Sequence, residues 1–408
     1  MEVTSDIERI RPQPGQVAVT SPVTKRRRRR RAVPSTAAGD AHVVICTWRD
    51  LRHPEGGGSE RYVETVAHGL AALGNTVTVL CSSVAGLPPD DLRDGIRYRR
   101  RGGRYTVYLH AAWALLSRQV RPDVVLDVQN GVPFLSSLLS RRPVVVLVHH
   151  VHREQWRMLF GPRSARLGWW VESRLAPVIY RRSRYIAVSE ATRQDLATLG
   201  IDPARVSIIH NGTPPLPAAR TQRSARPRLV VLGRLVEPKR VEIALRVLQT
   251  LRSGRWPDLE LDVVGRGPHE GGLRELAEQL GVADNAIFHG FVDDQTKSDV
   301  LAAAWIHAVP SVKEGWALAV VEAGQLGTPS VGFTGAGGLS ESIVNGRTGI
   351  LVDGDENAFC SAIDDLLADD ERRRRLGQAA REHALSFRWD TAVEAFVHAL
   401  DASLDDAR

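Results

Sequence analysis

The sequence predicts an α/β protein with two Rossmann-like, doubly wound domains that face each other across a cleft. Short apolar, β-branched runs alternate with segments of helical spacing along most of the chain, as in parallel sheets with crossover helices. This alternation stops at a proline-rich stretch, residues 214–227, and then starts again. The length of 408 residues is too great for one ordinary core and suits two domains with a tail.

Composition limits the class of protein. Hydrophobic residues make up 43% and charged residues 25%, the balance of a soluble globular protein. We find neither an apolar run of bilayer-spanning length nor the apolar core of a signal peptide, so we expect a cytoplasmic protein without a transmembrane helix. The three cysteines, Cys46, Cys81 and Cys360, are far apart and odd in number. We therefore expect reduced thiols and no metal site.

The net charge of +7 is concentrated near the N-terminus, where residues 25–31 are one lysine and six arginines. Without them the rest of the chain is formally neutral, so we expect no strong overall field. Residues 1–40 lack apolar periodicity and are predicted to be a disordered basic tail. The tail could be a solvated segment without function or could contact an anionic membrane at its inner face, and we expect no nucleic acid partner.

The first domain is predicted to begin with a βαβ unit. A buried-type strand at 42–48 is followed by three glycines at 56–58, a helix that starts near Tyr62, and a strand at 77–81. Glycines at this turn let a ligand approach the backbone, and the helix N-terminus favours phosphate. The turn is not GxGxxG and no acid follows the second strand, so a dinucleotide site is weakly supported. A flexible loop without a ligand is the alternative.

Further strands are predicted at 96–101, 123–128, 144–148, 185–188 and 206–209, with a helix at 106–119. Three histidines, His149, His150 and His152, follow the strand at 144–148, at the end where open α/β sheets bind ligands. Their side chains are nearly adjacent in sequence and should diverge, which disfavours a metal site. Contact of one histidine with a substrate is the better hypothesis.

Residues 155–180 combine tryptophans with many arginines. This pattern fits a helix with a buried aromatic face, and it also fits a helix at a membrane surface. The first interpretation is favoured.

In the second domain, alternation restarts with a strand at 229–232 that runs into Gly233 and Arg234, before Lys239 and a helix at 241–251. A strand at 259–264 ends at Gly265 and Arg266. Further strands are predicted at 287–291, 305–309, 330–333 and 349–352, with helices at 273–280, 293–304 and 318–326 and throughout the C-terminus.

The most informative stretch is 311–322, where a strand runs into a loop and then a helix. Glu314 lies in the loop, and Glu322 lies about two turns along the helix. The amides of Gly315, Trp316 and Ala317 should be exposed at the helix N-terminus and form an anion site. Carboxylates beside an anion site favour hydroxyl groups, so the pattern indicates a nucleotide sugar.

Several motifs at strand ends together resemble the retaining glycosyltransferases of family four, which have the glycosyltransferase-B (GT-B) fold. The resemblance covers about residues 43–396. The motifs are Gly56-Gly57-Gly58-Ser59-Glu60, Gly233-Arg234 with Lys239, Val264-Gly265-Arg266-Gly267-Pro268, Glu314 and Glu322 with seven residues between them, and Gly337-Gly338-Leu339-Ser340-Glu341.

The resemblance implies a role for each matching residue. Arg234 and Lys239 would grip the donor diphosphate, although Arg240 stands where the family often has glycine. Glu314 would contact the hydroxyls of the donor sugar and Glu322 those of the ribose. Further donor contacts are implied for Gly57, Gly58, Gly233, Gly265, Arg266, Gly315, Trp316 and Ala317. His149 would lie near the sugar, with His150 as the alternative register.

The resemblance also implies domain roles and an activity. Residues 41–213 would form the acceptor-side domain, 214–227 the linker, 228–388 the donor-binding domain and 389–408 a C-terminal helix that could return to the first domain.

The enzyme would transfer a sugar, with retention and without a metal or other cofactor, from a GDP- or UDP-sugar to a lipid, saccharide or small-molecule acceptor. Alternatives are a nucleotide-sugar epimerase, a phosphorylase, disfavoured because the chain has only four lysines, and a non-catalytic interaction protein.

Overall fold

The computed structural model describes residues 34–153 and 155–407, and they contain two parallel sheets. The first sheet has the order β3-β4-β2-β1-β5-β6-β7-β8, and only β3 runs antiparallel to its neighbour. Its strands are β1 His42–Cys46, β2 Thr76–Cys81, β3 Asp90–Arg93, β4 Ile96–Arg100, β5 Val124–Gln129, β6 Val144–Val148, β7 Arg184–Ala187 and β8 Val206–Ile208.

The second sheet has the order β11-β10-β9-β12-β13-β14 and is parallel throughout. In both sheets the strand order reverses next to the first strand, which is the doubly wound arrangement that places ligands at the carboxyl ends. The strands are β9 Arg228–Leu232, β10 Glu260–Val264, β11 Ala286–Gly290, β12 Ile306–Val309, β13 Ser330–Phe333 and β14 Gly349–Val352.

Helices cover both faces of each sheet. In the first domain they are α1 Gly58–Ala72, α2 Val107–Leu116, α3 Ser136–Leu139, α4 Gln155–Leu159, α5 Pro162–Trp170, α6 Ala176–Ile179 and α7 Glu190–Thr198, with a π-helical turn, Val171–Leu175, between α5 and α6. The remaining helices are α8 Val241–Arg252, α9 Glu270–Gln279, α10 Asp294–Ala303, α11 Leu318–Gln325, α12 Leu339–Ser342, α13 Glu356–Ala368, α14 Asp370–Ala384 and α15 Trp389–Asp406.

Two apolar clusters sandwich the first sheet because alternate strand residues point to opposite faces. On one face, Val43 and Ile45 pack under α1 and α15, and Phe396 and Leu400 of α15 are fully buried there. On the other face, Val44 packs under α2, α6 and α7. The last helix of the chain thus completes the core of the first domain, although it follows the whole of the second.

The prediction of a disordered tail up to residue 40 is wrong for residues 34–40. Thr36 is fully buried, and its backbone N–H donates to Asp401 Oδ1 of α15 at 2.6 Å. Asn75 Nδ2 donates to the Thr36 carbonyl at 2.8 Å. Docking on α15 orders this short segment, and local periodicity does not report such a contact. The basic run at 25–31 lies outside the described residues.

Two elements differ from the sequence prediction. Strand β3 was not predicted because its sequence, Asp90–Arg93, is mostly polar, and it forms an exposed antiparallel edge. The π-helical turn interrupts what sequence spacing reads as a continuous helix. Within the described part of the chain, no helix is long and apolar enough to cross a bilayer.

Candidate active site

Loops at the carboxyl ends of the two sheets touch each other. A Cβ added to Gly315 would lie 2.0 Å from the carbonyl oxygen of His149, and one added to Gly58 would lie 2.8 Å from Leu318 Cδ1. A Cβ at Gly57 would lie 3.8 Å from Arg234 Nε. The residues predicted from separate motifs therefore meet at one cleft, and their glycines allow the close approach.

The loops after β9 and β10 form one wall of the cleft. Gly233 and Gly265 have positive φ of 153° and 134°, and a Cβ on Gly265 would lie 1.8 Å from the Gly233 carbonyl oxygen. Only glycine fits this crossing. Arg234 and Arg266 both have exposed side chains. No hydrogen bond or ion pair joins Arg234 to another described residue, so its guanidinium remains available to a ligand.

Lys239 and Glu314 are paired with each other. Lys239 Nζ lies 2.6 Å from Glu314 Oε1, and these side chains are only 27% and 10% exposed. The sequence motifs assigned the two residues to different parts of the donor, and their contact was not predicted. Arg240, the residue that departs from the family pattern, has φ of 50°, a left-handed conformation that glycine adopts more easily.

The helix-start amides are only partly available. The N–H groups of Gly315 and Trp316 donate to no other group in the described chain, which leaves them available to an anion. The Ala317 N–H donates to Ser342 Oγ at 3.3 Å, so the expectation of a free amide there is wrong. Ser342 belongs to α12 and lies 25 residues after Ala317 in the sequence.

The side chain of Trp316 does not line the donor site. It is 7% exposed and packs between His210 and Phe387, with ring centroids 4.6 and 4.8 Å away. The family resemblance implied a donor contact for Trp316, and this packing turns its side chain away from the other implied donor residues. Its apolar area is buried between the first domain and the C-terminal segment, which leaves only its backbone for a donor contact.

Glu322 lies on α11 and forms an ion pair with Lys297 of α10, with 2.7 Å between Nζ and Oε1. Lys297 is 9% exposed, and the carboxylates of Glu322 and Asp294 hold its pKa above the usual range despite burial. Sequence reasoning did not identify Lys297. Its only signal was its status as one of four lysines.

His149 and His150 both lie at the contact with Gly315. His149 is 6% exposed, and its Nε2 has no hydrogen-bond partner among the described residues. Burial lowers the pKa of His149 to about 4, so the ring is neutral near pH 7. Burial, with the neighbouring His152, also lowers the pKa of His150. A neutral imidazole at the cleft can accept or donate a hydrogen bond.

The buried Glu172 holds the histidine loop in place. It accepts hydrogen bonds from the backbone of His152 at 3.1 Å and from Trp156 Nε1 at 2.6 Å. The rings of His150 and His152 lie 4.0 Å apart, closer than the sequence suggested. Among residues 34–153 and 155–407, no group of three or more His, Cys, Asp or Glu could hold a metal ion.

Glu60 orders the glycine turn before α1. It accepts from the Gly57 N–H at 2.7 Å and from Arg49 Nε at 2.8 Å. Burial raises the pKa of Glu60, but the charge and hydrogen bonds of Arg49 outweigh this and lower it. Sequence reasoning placed Glu60 in the motif without this role, and the spacing of a capping box was the signal that could have shown it.

Two family models match the chain over consecutive segments. Residues 56–215 match Glycosyltransferase Family 4, and residues 216–383 match Glycosyl transferases group 1. A GDP-mannose-dependent α-(1-6)-phosphatidylinositol monomannoside mannosyltransferase of Mycolicibacterium smegmatis is 32% identical over 60% of this chain and 67% of that protein. The chain belongs to glycosyltransferase family 4.

Other matches of this glycosyltransferase extend over more of its length. A D-inositol 3-phosphate glycosyltransferase of Catenulispora acidiphila is 29% identical over 87% of the chain and 92% of that protein. Sucrose-phosphate synthase of Thermosynechococcus elongatus has a TM-score of 0.72 at 19% identity, covering 87% of this chain and 97% of that one. The fold is therefore GT-B, as the sequence predicted.

Proposed function

We propose that this glycosyltransferase moves a sugar from a nucleotide diphosphate sugar to a lipid, saccharide or small-molecule acceptor, with retention at the anomeric carbon. The observation that supports the proposal is a cluster at the contact between the domains. It contains the Lys239–Glu314 ion pair, together with Arg234 and the backbone N–H groups of Gly315 and Trp316, none of which is hydrogen-bonded within the described part of the chain. The similar mannosyltransferase is GDP-mannose-dependent by name, which supports a GDP-sugar as the first donor to test.

Arg234 and Lys239 would bind the diphosphate. As the bond between sugar and phosphate breaks, negative charge grows on the leaving oxygen. Fixed cations next to that oxygen stabilise the transition state more than the ground state. We propose that these two side chains perform the charge stabilisation that a divalent ion performs in other transferases.

Glu314 would orient the donor sugar while it keeps Lys239 in place. Its Oε1 contacts Lys239 Nζ at 2.6 Å, which leaves Oε2 to accept a sugar hydroxyl. Glu322, held by Lys297, would accept from the ribose hydroxyls in the same way. The Lys239–Glu314 ion pair thus places the cation that would bind the diphosphate next to the carboxylate that would bind the sugar. A single donor molecule carries both groups side by side.

For the transfer step, we propose attack by the acceptor oxygen on the face that the phosphate leaves. The bond from the anomeric carbon to the phosphate oxygen breaks as the bond to the acceptor oxygen forms, so no side chain is needed as a nucleophile. The departing phosphate oxygen takes the acceptor proton, so no side chain is needed as a general base. The ring of His149 is neutral near pH 7, and its Nε2 has no hydrogen-bond partner in the described chain. It would hydrogen-bond to the sugar rather than act as a cationic acid.

The decisive experiment combines donor binding with turnover. In a thermal-shift screen of GDP-, UDP- and ADP-sugars, the true donor raises Tm because it binds only the folded state. With that donor, Glu314→Ala and Lys239→Ala should each lower turnover by about a hundredfold or more. Glu278→Ala, at an exposed site on α9, is the control and should leave turnover unchanged.

Three outcomes would contradict the proposal. Near-normal turnover of Glu314→Ala or Lys239→Ala would show that the substituted residue does not take part in the reaction. Conversion of the donor to an isomer without any acceptor would indicate an epimerase. A protein whose Tm responds to no nucleotide sugar would fit an interaction protein without catalytic activity.

A further inference from the structure

The helical layer that covers one face of the first sheet has an apolar outer surface. Thirteen large apolar side chains are exposed in the described chain, and eight of them lie between residues 105 and 178, on or next to helices of this layer. Those eight are Tyr105, Leu109, Trp113, Leu116, Leu138, Leu167, Trp170 and Val178. We refer to the outer surface of residues 104–182 as the α2–α6 face.

Four of these side chains form a stripe along α2. Tyr105 lies in the turn just before α2, and Leu109, Trp113 and Leu116, spaced by four and three residues, share one side of the helix. They are 75%, 69%, 63% and 59% exposed. The opposite side of α2, with Ala111 and its neighbours, is buried against the sheet. Helix α2 is therefore apolar on both sides, which an ordinary surface helix is not.

A second stripe follows α5, the π-helical turn and α6. Its members are spaced by four, three, four, four and three residues, and all are exposed. In order they are Arg163, Leu167, Trp170, Arg174, Val178 and Arg181. Arginine and apolar side chains are thus interspersed along this line.

The net charge of residues 104–182 is strongly positive. Residues 104–182 contain twelve arginines and no lysine, against four acids, a net of +8 (12 minus 4) in a chain whose total is +7. All twelve arginines are exposed, whereas Asp127 and Glu172 are buried. Outside residues 25–31 and 104–182 the chain has a formal net charge of −8 (+7 minus 7 minus 8), so its charge is distributed unevenly along the sequence.

The helices of the face are adjacent in space. Arg104, just before α2, lies over the ring of Phe160 after α4 at 5.5 Å. Ser137 of α3 hydrogen-bonds to Ser183, just after α6, at 3.1 Å. The buried sides of α2 and α6 belong to one apolar cluster. The exposed apolar and basic side chains therefore form parts of one layer.

We propose that the α2–α6 face docks on a membrane surface that contains anionic phospholipids. Tryptophan and leucine side chains at a membrane surface bury apolar area at the boundary between the lipid headgroups and the acyl chains. Arginine side chains beside them reach the lipid phosphates with their guanidinium groups. Nucleic acid would account for the arginines but not for Leu109, Leu116 and Val178. The excess of positive charge favours an anionic lipid surface over a second copy of this chain, whose identical face would repel it.

Docking on this face would bring the acceptor side of the cleft to the membrane. Arg104 also lies over the ring of Trp48, at 5.2 Å, in the loop that leads from β1 to the glycine turn. A lipid-linked acceptor could then enter the cleft from the bilayer. This consequence rests on the proposed sugar transfer, but the docking itself does not.

The test is co-sedimentation of the full chain with vesicles of equimolar phosphatidylcholine and phosphatidylglycerol, and with phosphatidylcholine alone. The wild type should bind the anionic vesicles. Arg163→Glu with Arg166→Glu should weaken the partition by roughly tenfold or more, since each basic group near an anionic surface contributes severalfold. Leu109→Ser with Trp113→Ser should weaken it on both kinds of vesicle.

Matched controls lie on the second domain. Arg347→Glu with Arg375→Glu makes the same change of charge at exposed sites, and Phe291→Ser removes a side chain that is 79% exposed. These controls should bind as the wild type does. The donor-induced rise in Tm should be equal in all variants, so loss of docking and loss of donor binding are separate readouts.

Each other outcome overturns the proposal. A wild type that binds neither kind of vesicle shows that the face is not a membrane surface. Binding that survives both α2–α6 variants places the contact elsewhere, with the basic run at 25–31 as the first candidate. A wild type that is dimeric by light scattering, with a monomeric Leu109→Ser Trp113→Ser variant, assigns the face to self-association.

Discussion

At the scale of the residue, the site depends on which charges are already paired. Glu314 and Glu322 each contact a lysine at hydrogen-bond distance, 2.6 and 2.7 Å, while Arg234 has no such partner among residues 34–153 and 155–407. A donor diphosphate would therefore meet Arg234 first and would have to share Lys239 with Glu314. This order of availability comes from the tertiary contacts, since the sequence motifs do not show which charges are paired and do not include Lys297.

His149 leads to a prediction about acid stability. Burial lowers its pKa from 6.5 to about 4, so the unfolded chain takes up a proton between these pH values before the folded chain does. The contribution of His149 to the free energy of unfolding should therefore have its full value above pH 6.5. It should fall as the pH drops towards 4, by about 3 kcal/mol at most. His149→Gln should flatten this part of the pH profile, measured by urea unfolding. His398→Gln, at an exposed site on α15, should retain the slope.

At the scale of the element, glycines decide how closely the loops approach. Gly315 lies against the His149 carbonyl, and a Cβ on Gly338 would lie 2.0 Å from the Gly315 carbonyl oxygen. Three loops from two sheets are therefore stacked with no room for a side chain. In such packing a single methyl group shifts backbone rather than a flexible side chain.

We expect Gly315→Ala to destabilise the protein by about 1–3 kcal/mol, because the added methyl would meet backbone at 2.0 Å. Donor binding should weaken with it, since the 314–317 loop must move. Gly272→Ala is the matched control. That glycine lies in α9 with nothing near its added Cβ, so alanine should stabilise by up to about 1 kcal/mol. Equal Tm values for the two variants would show that the 315 loop accommodates the methyl without cost.

At the scale of the molecule, side chains from the second domain hold the first. Glu341 accepts from the N–H groups of Glu190 and Ala191, at 2.9 and 3.1 Å, at the start of α7. It also lies 3.0 Å from His210 Nε2. A carboxylate at a helix N-terminus is favoured by the helix dipole, so this contact fastens the two domains at one edge of the cleft.

Glu341→Gln should lower the free energy of unfolding by about 1–2 kcal/mol near pH 7, because it removes the charge and keeps the shape. Burial raises the pKa of Glu341, but His210 and the two amides outweigh this and lower it. The stabilisation by the Glu341 carboxylate is therefore present above the pKa that this group has in the unfolded chain. It is lost as the pH falls through the lower pKa that the group has in the folded protein. Urea unfolding at neutral and at acid pH checks this. The gap to wild type should close in acid, and Glu278→Gln should show no gap.

Much of the architecture could be predicted because it depends on local patterns. Strands β6 and β13 are β-branched or apolar runs between turns, and both were predicted to the residue. Strand β3 could not be predicted in this way, because an exposed edge strand needs no apolar side chains. The burial of Trp316 was missed since the residues that cover it, His210 and Phe387, are distant in sequence.

The sequence by itself determined the two α/β domains, the positions of the glycine turns and the set of charged residues at the strand ends, because period, composition and spacing are properties of neighbouring residues. Only the tertiary structure decided that Lys239 pairs with Glu314, that Ser342 occupies the Ala317 amide and that α15 closes the first core. The tertiary structure also decided that the helices of residues 104–182, with their arginines and tryptophans, lie in one layer on the first sheet. These are contacts between distant segments, and their geometry follows from packing rather than from any local pattern.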